Sequence, residues 1–231
     1  RYLVGYKRGK YNFTDILSLN KMGWMVGLQM GLETALFSIT GIMIGWLGSI
    51  ALAAHQVMVA ISTLGFMIYY GVGAAVSVRV SNYFGRQELL HVRRTTMAGF
   101  HLILCLAVCA CTVFLFSREL IGYLFTTSEE VIRVVSTLVY ILLAYQFGDA
   151  LQITYANSLR GIGDVISMAV ISFIGYFLIA MPVCYICGFV LEWDITGIWI
   201  GYPIGLTLTG VMLCGRYYWK LKTKTQSKEF Y

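Results

Sequence analysis

Two carboxylates stand inside long apolar stretches of the sequence, at Glu33 and Asp149. Glu33 is the only ionisable group of Met22–Leu47, a stretch long enough to cross a bilayer, which takes about 20 residues. A carboxylate at bilayer depth is costly, so it faces protein or water and marks an ion or substrate pathway by default. The two acids therefore predict a site that binds a proton or a cation, and the alternative is a structural acid that only hydrogen-bonds a neighbouring helix.

The surroundings of Glu33 support an inward-facing polar stripe. Gln29 lies one helical turn before Glu33, and Thr40 lies two turns after it on roughly the same face. The same stretch carries glycines with small-xxx-small spacing, which lets a second helix approach closely: Gly23, Gly27 and Gly31.

Asp149 lies on a comparable stripe in the run YILLAYQFGDALQITYANSLRG. Tyr145 and Gln152 fall at i−4 and i+3 from it, and Asn157 lies two turns on, so one helical face is polar. Such a face must look onto a cavity or partner helices. Pairing of Asp149 with Arg160 is the structural alternative, but 11 residues of helix separate the two by about 16 Å.

Other chemistry has weaker support in the sequence. The CxxC pair Cys184 and Cys187 lies inside an apolar run with no second pair, so small buried thiols fit better than zinc or a disulfide. A membrane-embedded enzyme would need paired histidines or a His–Asp constellation, and the three histidines lack such spacing: His55, His91 and His101. His55 is interpreted as a hydrogen-bonded structural group. We expect neither an enzyme nor a bound cofactor.

The composition places these acids in a polytopic helical membrane protein. The chain has 231 residues, of which 58% are hydrophobic and 12% charged, whereas soluble domains carry about 25% charged residues. Its mean hydropathy is +0.74. Alternation typical of a β-barrel is absent. The predicted fold is all-α, with six spans at roughly 22–47, 50–80, 95–117, 131–157, 164–190 and 196–219.

The loop charges predict the orientation. With six spans and both ends on one side, that side holds fifteen basic residues: Arg1, Lys7, Arg8, Lys10, Lys21, Arg79, Arg86, Arg93, Arg94, Arg160, Arg216, Lys220, Lys222, Lys224 and Lys228. Only Arg118 and Arg133 fall opposite. By the positive-inside rule we expect a multi-pass protein of the inner (plasma) membrane with both termini cytoplasmic. The net charge of +6 then reflects basic residues that set the topology and contact membrane lipid, and it does not indicate nucleic-acid binding.

Three segments are expected along the chain: an interfacial lead-in at 1–20, a six-helix lobe at 21–219 and a basic cytoplasmic tail at 220–231. The chain begins without Met in a basic, aromatic stretch, which suggests a fragment of a longer protein. Pro182 and Pro203 predict kinks in the last two spans, where each removes a backbone donor. These kinks fit either hinges or packing bends. Gly197, Gly201 and Gly205 add GxxxG spacing.

The chain resembles the second half of a multidrug and toxic compound extrusion (MATE) transporter of the NorM-like branch. The resemblance runs from about Asn20 to Trp219 and rests on LETALFSITGIMIGWLGSIALAAHQVMVAISTLGFMIYYGVGAAVSVRVSNYFG and YQFGDALQITYANSLRGIGD. It implies one lobe of a twelve-helix protein whose two six-helix lobes are related by a pseudo-two-fold axis along the membrane normal. It also implies export of organic cations in exchange for Na⁺ or H⁺, with Glu33 and Asp149 at the coupling-cation site and Tyr145 lining the same cavity.

The expected mechanism is antiport. A proton, a Na⁺ ion or a lipophilic organic cation each relieves the cost of bare carboxylates, and mutual exclusion couples their movements if each favours a different conformation. Besides Gln29 and Gln152, cavity-lining candidates are aromatic residues that offer ring faces to a flat cation: Phe37, Phe66, Tyr69 and Tyr145.

Two further alternatives stay open. A lipid-linked saccharide flippase of the same superfamily would need basic charge in the cavity, because its substrate carries phosphates. A non-transporting fragment that needs its missing N-terminal six-helix lobe as a partner is the other alternative.

Overall fold

A computed structural model of the protein describes residues 13–229, with side chains for residues 13–224. Residues 1–12 of the expected lead-in lie outside the described part. The described chain is helical, with α1 at Phe13–Trp46, α2 at Ser49–Gly85, α3 at Leu89–Phe116, α4 at Arg118–Phe125, α5 at Glu129–Gly161, α6 at Val165–Val190 and α7 at Asp194–Glu229.

Six of these helices are long and apolar enough to cross a membrane, all but the eight-residue α4. This confirms the predicted all-α fold with six membrane spans. The boundaries differ at both ends of the bundle. α1 already begins at Phe13, within the expected lead-in, and α7 continues without a break through Lys220 to Glu229. α4 is about two turns of helix in a segment predicted from the sequence to be a loop, and its Gly122 packs against Ile132 of α5.

The helix α5 occupies the centre of the bundle and packs most extensively against α7 and α2. α2 and α5 run in the same direction, because Gly65 faces Gln146 near their middles and Gly161 faces Ser77 near their ends. We call the end of the bundle where α2 and α5 finish the basic end, since most of the positive charge gathers there.

Small residues bring the last two spans together. A Cβ at any of three glycines of α7 would collide with α6, with the contacted residue in parentheses: Gly197 (Cys187), Gly201 (Cys184) and Gly205 (Ala180). The GxxxG spacing therefore does permit close helix contact there. The corresponding glycines of α1 behave differently, because no atom of another described helix lies within 4 Å of a Cβ built at any of them: Gly23, Gly27 and Gly31.

The two prolines have different effects on the spans that carry them. Pro182 lies in a short α-helical stretch, Met181–Tyr185, flanked by π-helical segments at Ile174–Ala180 and Ile186–Val190. A π-helix bonds i to i+5, which is one way for a helix to absorb a missing backbone donor. Pro203 lies within α7 without such a change of helix type.

An ion pair joins the α5–α6 turn to α7 at the basic end. Arg216 donates from Nε to Asp164 Oδ2 across 2.8 Å, Ser167 donates to Asp164 Oδ1 at 2.8 Å, and Lys220 lies 4.0 Å away. Burial raises the pKa of Asp164, but the hydrogen bonds from Arg216 and Ser167 and the charge of Lys220 outweigh it, so the pKa lies below its usual value.

Candidate functional site

Glu33 lies half-buried on α1, facing α5 and α6. Its Oε2 atom accepts a hydrogen bond from Gln29 Nε2 at 3.3 Å and another from the Tyr176 hydroxyl at 3.2 Å. The Tyr176 hydroxyl accepts one in turn from Gln152 Nε2 at 2.6 Å. A continuous chain of polar groups therefore links α1, α6 and α5 through one carboxylate oxygen.

The carboxylate opens into a cavity of about 270 Å³, which we call the Glu33 cavity. Its lining consists of Met30, Glu33, Thr34, Phe37, Val59, Ser62, Thr63, Phe66 and Tyr145. Phe37 meets the Tyr145 ring edge-on with centroids 6.5 Å apart, and it stacks on Tyr202 at 4.7 Å. The volume is slightly below that of typical small-molecule sites, about 300–1,000 Å³, and the wall is largely apolar with a single carboxylate, as suits a lipophilic cation.

A small recess adjoins the Glu33 cavity toward the basic end, and we call it the Arg160 recess. It is lined by Gln29, Met30, Glu33, Phe66, Tyr70, Gln152, Ile153, Ala156, Asn157 and Arg160. Its volume of about 20 Å³ gives room for about one water molecule. Glu33 therefore borders a roomy cavity on one side and a tight polar recess on the other.

Arg160 closes the recess. Its guanidinium donates to Gln29 Oε1 at 3.4 Å, to the Tyr70 hydroxyl at 3.3 Å and to Asn157 Oδ1 at 3.3 Å. Pairing of Arg160 with Asp149 is absent from the described ion pairs, as their separation along α5 predicted. The arginine is instead coupled to Glu33 through the amide of Gln29.

Asp149 is fully buried on α5 and lines neither the cavity nor the recess. Within the described residues, both of its carboxylate oxygens lack a hydrogen-bond partner, as do the amide atoms of Gln146 and the hydroxyl of Tyr69. Buried polar groups without partners cost free energy, so a proton, an ion or a water bound beside Asp149 would lower that cost.

The expected residues are thus divided between the two spaces that border Glu33 and the packed core around Asp149. Five of the predicted lining residues border the Glu33 cavity or the Arg160 recess: Gln29, Phe37, Phe66, Tyr145 and Gln152. Both acids point inward, but the expected single cavity shared by Glu33 and Asp149 is not what the structure shows. Tyr69 was expected on the cavity wall and instead packs with Ile103, Ala107 and Ala150.

The rotation of α2 explains the misplacement of Tyr69. Phe66 and Tyr70 are four residues apart and share the face that looks onto α1, while Tyr69, about 100° from Tyr70 around the helix, shares the face toward α5 with Gly65 and Gly73. Tyr176, which donates to Glu33, was not among the predicted residues. It lies in an apolar run with no charged neighbour, so nothing in its local sequence distinguished it from a packing tyrosine.

The remaining candidates belong to the core. His55 is buried and meets the Trp199 ring edge-on at 5.8 Å, but its Nδ1 has no hydrogen-bond partner in the described structure, so the expected hydrogen-bonded role is wrong for that atom. All six cysteines are free thiols. Among residues 13–224, no three His, Cys, Asp or Glu side chains gather as a metal site would require.

Comparison with known proteins adds family information. A family model described as MatE matches residues 26–186. The multidrug resistance protein NorM of Photobacterium profundum is 34% identical over 93% of this chain and 47% of its own length, and that of Vibrio cholerae is 32% identical over 90% and 47%. The chain spans about half the length of these relatives. The crystal structure of the eukaryotic MATE transporter AtDTX14 superposes with a TM-score of 0.83 at 20% identity, over 94% of this chain and 51% of that one, which shows the same fold.

Proposed function

Because the chain belongs to the MatE family of membrane transporters, we propose that it forms the second six-helix lobe of a multidrug efflux antiporter that exports organic cations in exchange for Na⁺ or H⁺. The observation that carries the proposal is the setting of Glu33, a carboxylate inside an apolar and aromatic cavity at the depth of the membrane spans. A negative charge there is stabilised by a cation, and the aromatic wall selects for lipophilic ones.

Glu33 and Asp149 are proposed as the coupling-ion residues. Glu33 keeps one oxygen bonded to Gln29 and Tyr176 while its carboxylate also borders the cavity, so it is held in place and still accessible. Asp149 has the unmet hydrogen-bonding capacity that a proton or a Na⁺ ion with its water would satisfy. Gln152, one helical turn after Asp149 on α5, donates to Tyr176, and Tyr176 donates to Glu33, so a change at one acid is proposed to alter cation affinity at the other.

The organic cation is proposed to bind in the Glu33 cavity. Phe37 and Tyr145 present rings at right angles to each other beside the carboxylate, which suits a flat aromatic cation with delocalised charge. Coupling ion and organic cation then compete for the same negative charge. Exchange follows if each stabilises a different conformation of the transporter, because a ligand shifts an equilibrium only through its differential affinity.

An N-terminal six-helix lobe is proposed as the partner that completes the cleft. The exposed large side chains Trp24 and Leu28 of α1 surround glycines that no described helix covers. This face is the one α1 offers for close helix contact, and the relatives are about twice as long as this chain. The protein is proposed to lie in the inner (plasma) membrane with its basic end cytoplasmic.

A lipid-linked saccharide flippase is less well supported. Phosphate binding calls for basic side chains, and Arg160 is the one basic residue among those lining the Glu33 cavity and the Arg160 recess. Its two terminal nitrogens donate three described hydrogen bonds to neutral groups, while its Nε has no described partner. The residues that line the Glu33 cavity itself include a carboxylate and no basic side chain, which favours a cationic substrate there.

The test is dye efflux from proteoliposomes that contain the whole transporter, with an imposed Na⁺ or H⁺ gradient. Glu33→Gln retains size and hydrogen bonding but removes the charge, so gradient-driven efflux should fall by about 10-fold or more while expression and monodispersity are kept. Glu119→Gln, at an exposed acid on α4, is the matched control and should transport normally. Near-normal efflux by a well-folded Glu33→Gln variant would remove Glu33 from the mechanism.

A further inference from the structure

A groove runs between α2 and α3 close to the basic end, outside the proposed transport site. It has a volume of about 390 Å³, and we call it the α2–α3 groove. Its walls include Val72, Val76 and Leu102, and its basic end is formed by Arg79 of α2 and Arg94 of α3. The groove is therefore apolar along its length and cationic at one end.

The two arginines of the groove have no acidic partner. In the described part of the chain, no Asp or Glu lies within 4 Å of Arg79 or Arg94, and neither forms a described hydrogen bond or ring contact. The nearby acid of the α2–α3 turn, Glu88, lies 3.7 Å from His91 instead. Two guanidinium groups from different helices are thus left facing one groove.

Several other basic residues of the same end have partners. Arg216 pairs with Asp164, and Arg93 lies over the Tyr218 ring at 5.6 Å. Lys224 lies over the Phe84 ring at 3.8 Å. What distinguishes Arg79 and Arg94 is that two guanidinium groups without an acidic partner, from different helices, line one groove.

The depth of the arginines matches the lipid headgroups. α2 has 37 residues and is about 55 Å long, whereas the hydrocarbon core of a bilayer is about 30 Å thick. Arg79 lies six residues before the end of α2, and Arg94 lies five residues after the start of α3, so both are about 8–9 Å from the turn that joins the helices. The apolar part of the groove then extends toward the hydrocarbon.

A second depression continues the groove beyond Arg79. It has a volume of about 260 Å³ and is lined by Arg79, Asn82, Tyr83 and Arg86. Arg79 is shared by both spaces, and Arg86 adds a third guanidinium without an acidic partner within 4 Å among the described residues. The extra room accommodates the polar part of a headgroup next to the phosphate position.

We propose that the α2–α3 groove binds one anionic phospholipid. Its phosphate lies between Arg79 and Arg94, its headgroup extends toward Arg86, and an acyl chain follows Val72, Val76 and Leu102. Guanidinium groups match phosphate oxygens in geometry as well as charge, and basic pockets between membrane helices are suited to anionic headgroups. An organic cation is repelled by the same arginines, and a soluble anion makes no use of the apolar wall.

The test counts bound lipid by native mass spectrometry after the whole protein is moved into detergent from nanodiscs of phosphatidylglycerol and phosphatidylcholine at 1:3. We expect one retained phosphatidylglycerol per protein. Arg79→Gln with Arg94→Gln should lower its occupancy by about 10- to 30-fold, since each basic residue near the surface contributes about 1 kcal/mol. Arg79→Lys with Arg94→Lys retains the charge and should recover part of the loss.

Controls separate this site from general attraction to an acidic membrane. Lys21→Gln with Lys222→Gln removes two unpaired exposed charges from the same end but outside the groove, and it should leave retention unchanged. Ala98→Phe adds a ring to the apolar wall without changing charge and should lower retention. Equal loss in the lysine control, full retention in the double glutamine variant, or complete displacement by soluble glycerol phosphate would each overturn the proposal.

Discussion

Tyr176 donates its hydroxyl hydrogen to Glu33 across 3.2 Å, and through this bond the first π-helical segment of α6 holds the central carboxylate of α1. The contact places the proposed coupling residue on a helix whose backbone departs from regular α geometry. π-helical segments occur often at functional sites, and this one lies directly before the proline of the same span. Movement of α6 relative to α1 would therefore change the hydrogen bond that Tyr176 donates to Glu33.

Removal of the Tyr176 hydroxyl should weaken ion coupling without unfolding the protein. Tyr176→Phe keeps the ring but deletes the donor to Glu33 and the acceptor of Gln152. We expect gradient-driven dye efflux to fall about 10- to 150-fold, because a hydrogen bond to a charged group contributes about 1.5–3 kcal/mol. Tyr217→Phe is the matched control, since that hydroxyl bonds to Thr96 in the basic half of the bundle. Equal activity of both variants would show that the Tyr176 bond is dispensable.

Arg160 should set the affinity of the Glu33 cavity for cations. The Gln29 side chain bridges its guanidinium to Glu33, and the positive charge of Arg160 repels a cation bound at Glu33 in a partly desolvated setting. Arg160→Gln should therefore tighten binding of a cationic dye by about 3- to 30-fold, as expected for charges separated by several ångströms in a protein interior. Arg160→Lys should bind like the parent protein. Fluorescence polarisation of the purified transporter measures both, and weaker binding in both variants would indicate a purely structural arginine.

The Asp164–Arg216 pair should make stability depend on pH in acid. Because the pKa of folded Asp164 lies below its unfolded value of about 3.9, its contribution is present above that value and is lost as pH falls through the lower folded pKa. Asp164→Asn should lower the thermal midpoint at pH 7 by on the order of 5 °C, and the difference from the parent should shrink below about pH 4. A difference that stays constant down to pH 3 would contradict this origin.

Much of the fold follows from the sequence, because the length and hydropathy of each span are local properties. The inward faces of α1 and α5 were also predictable, since Gln29 and Glu33 on one helix and Tyr145 and Gln152 on the other follow the helical period. The inward face of α2 was not predictable, because its aromatic residues occur on more than one side of the helix. No polar stripe among them indicates which side faces the site. Tyr69 was misplaced for that reason.

The different settings of the two acids, Glu33 at a cavity and Asp149 in packed core, could not be predicted either. Whether Asp149 joins the Glu33 cavity depends on how α5 is rotated against α2, and a shift of one residue turns a side chain by about 100°. The bond from Tyr176 depends on the tertiary contact between α1 and α6, 143 positions apart in the chain. The π-helical segments that carry it arise where a proline and close packing against α7 meet, which periodicity does not encode.

The orientation of the bundle can be measured in a variant without native cysteines. A single Cys at position 128, in the turn before α5, and a single Cys at position 227, near the end of α7, are expected on opposite sides of the membrane. An impermeant thiol reagent should label Ser128→Cys but not Ser227→Cys on intact cells, because the basic end is expected to be cytoplasmic. Both variants should be labelled after the membrane is permeabilised. The reverse pattern on intact cells would invert the topology.

The final prediction concerns the coupling of Glu33 and Asp149. If the two acids serve one ion-driven step, Asp149→Asn should abolish gradient-driven efflux as Glu33→Gln does. The double variant should then be little worse than either single variant, because residues that act as a unit are not additive. If each acid instead acts independently, as their separate surroundings in this conformation permit, the fold-losses in efflux of the two single variants should multiply in the double variant. Efflux rates from proteoliposomes, normalised to protein level and compared as a double-mutant cycle, distinguish the two cases. If the fold-losses of the two single variants multiply to within about 2-fold of the fold-loss of the double variant, Asp149 contributes without sharing an ion with Glu33.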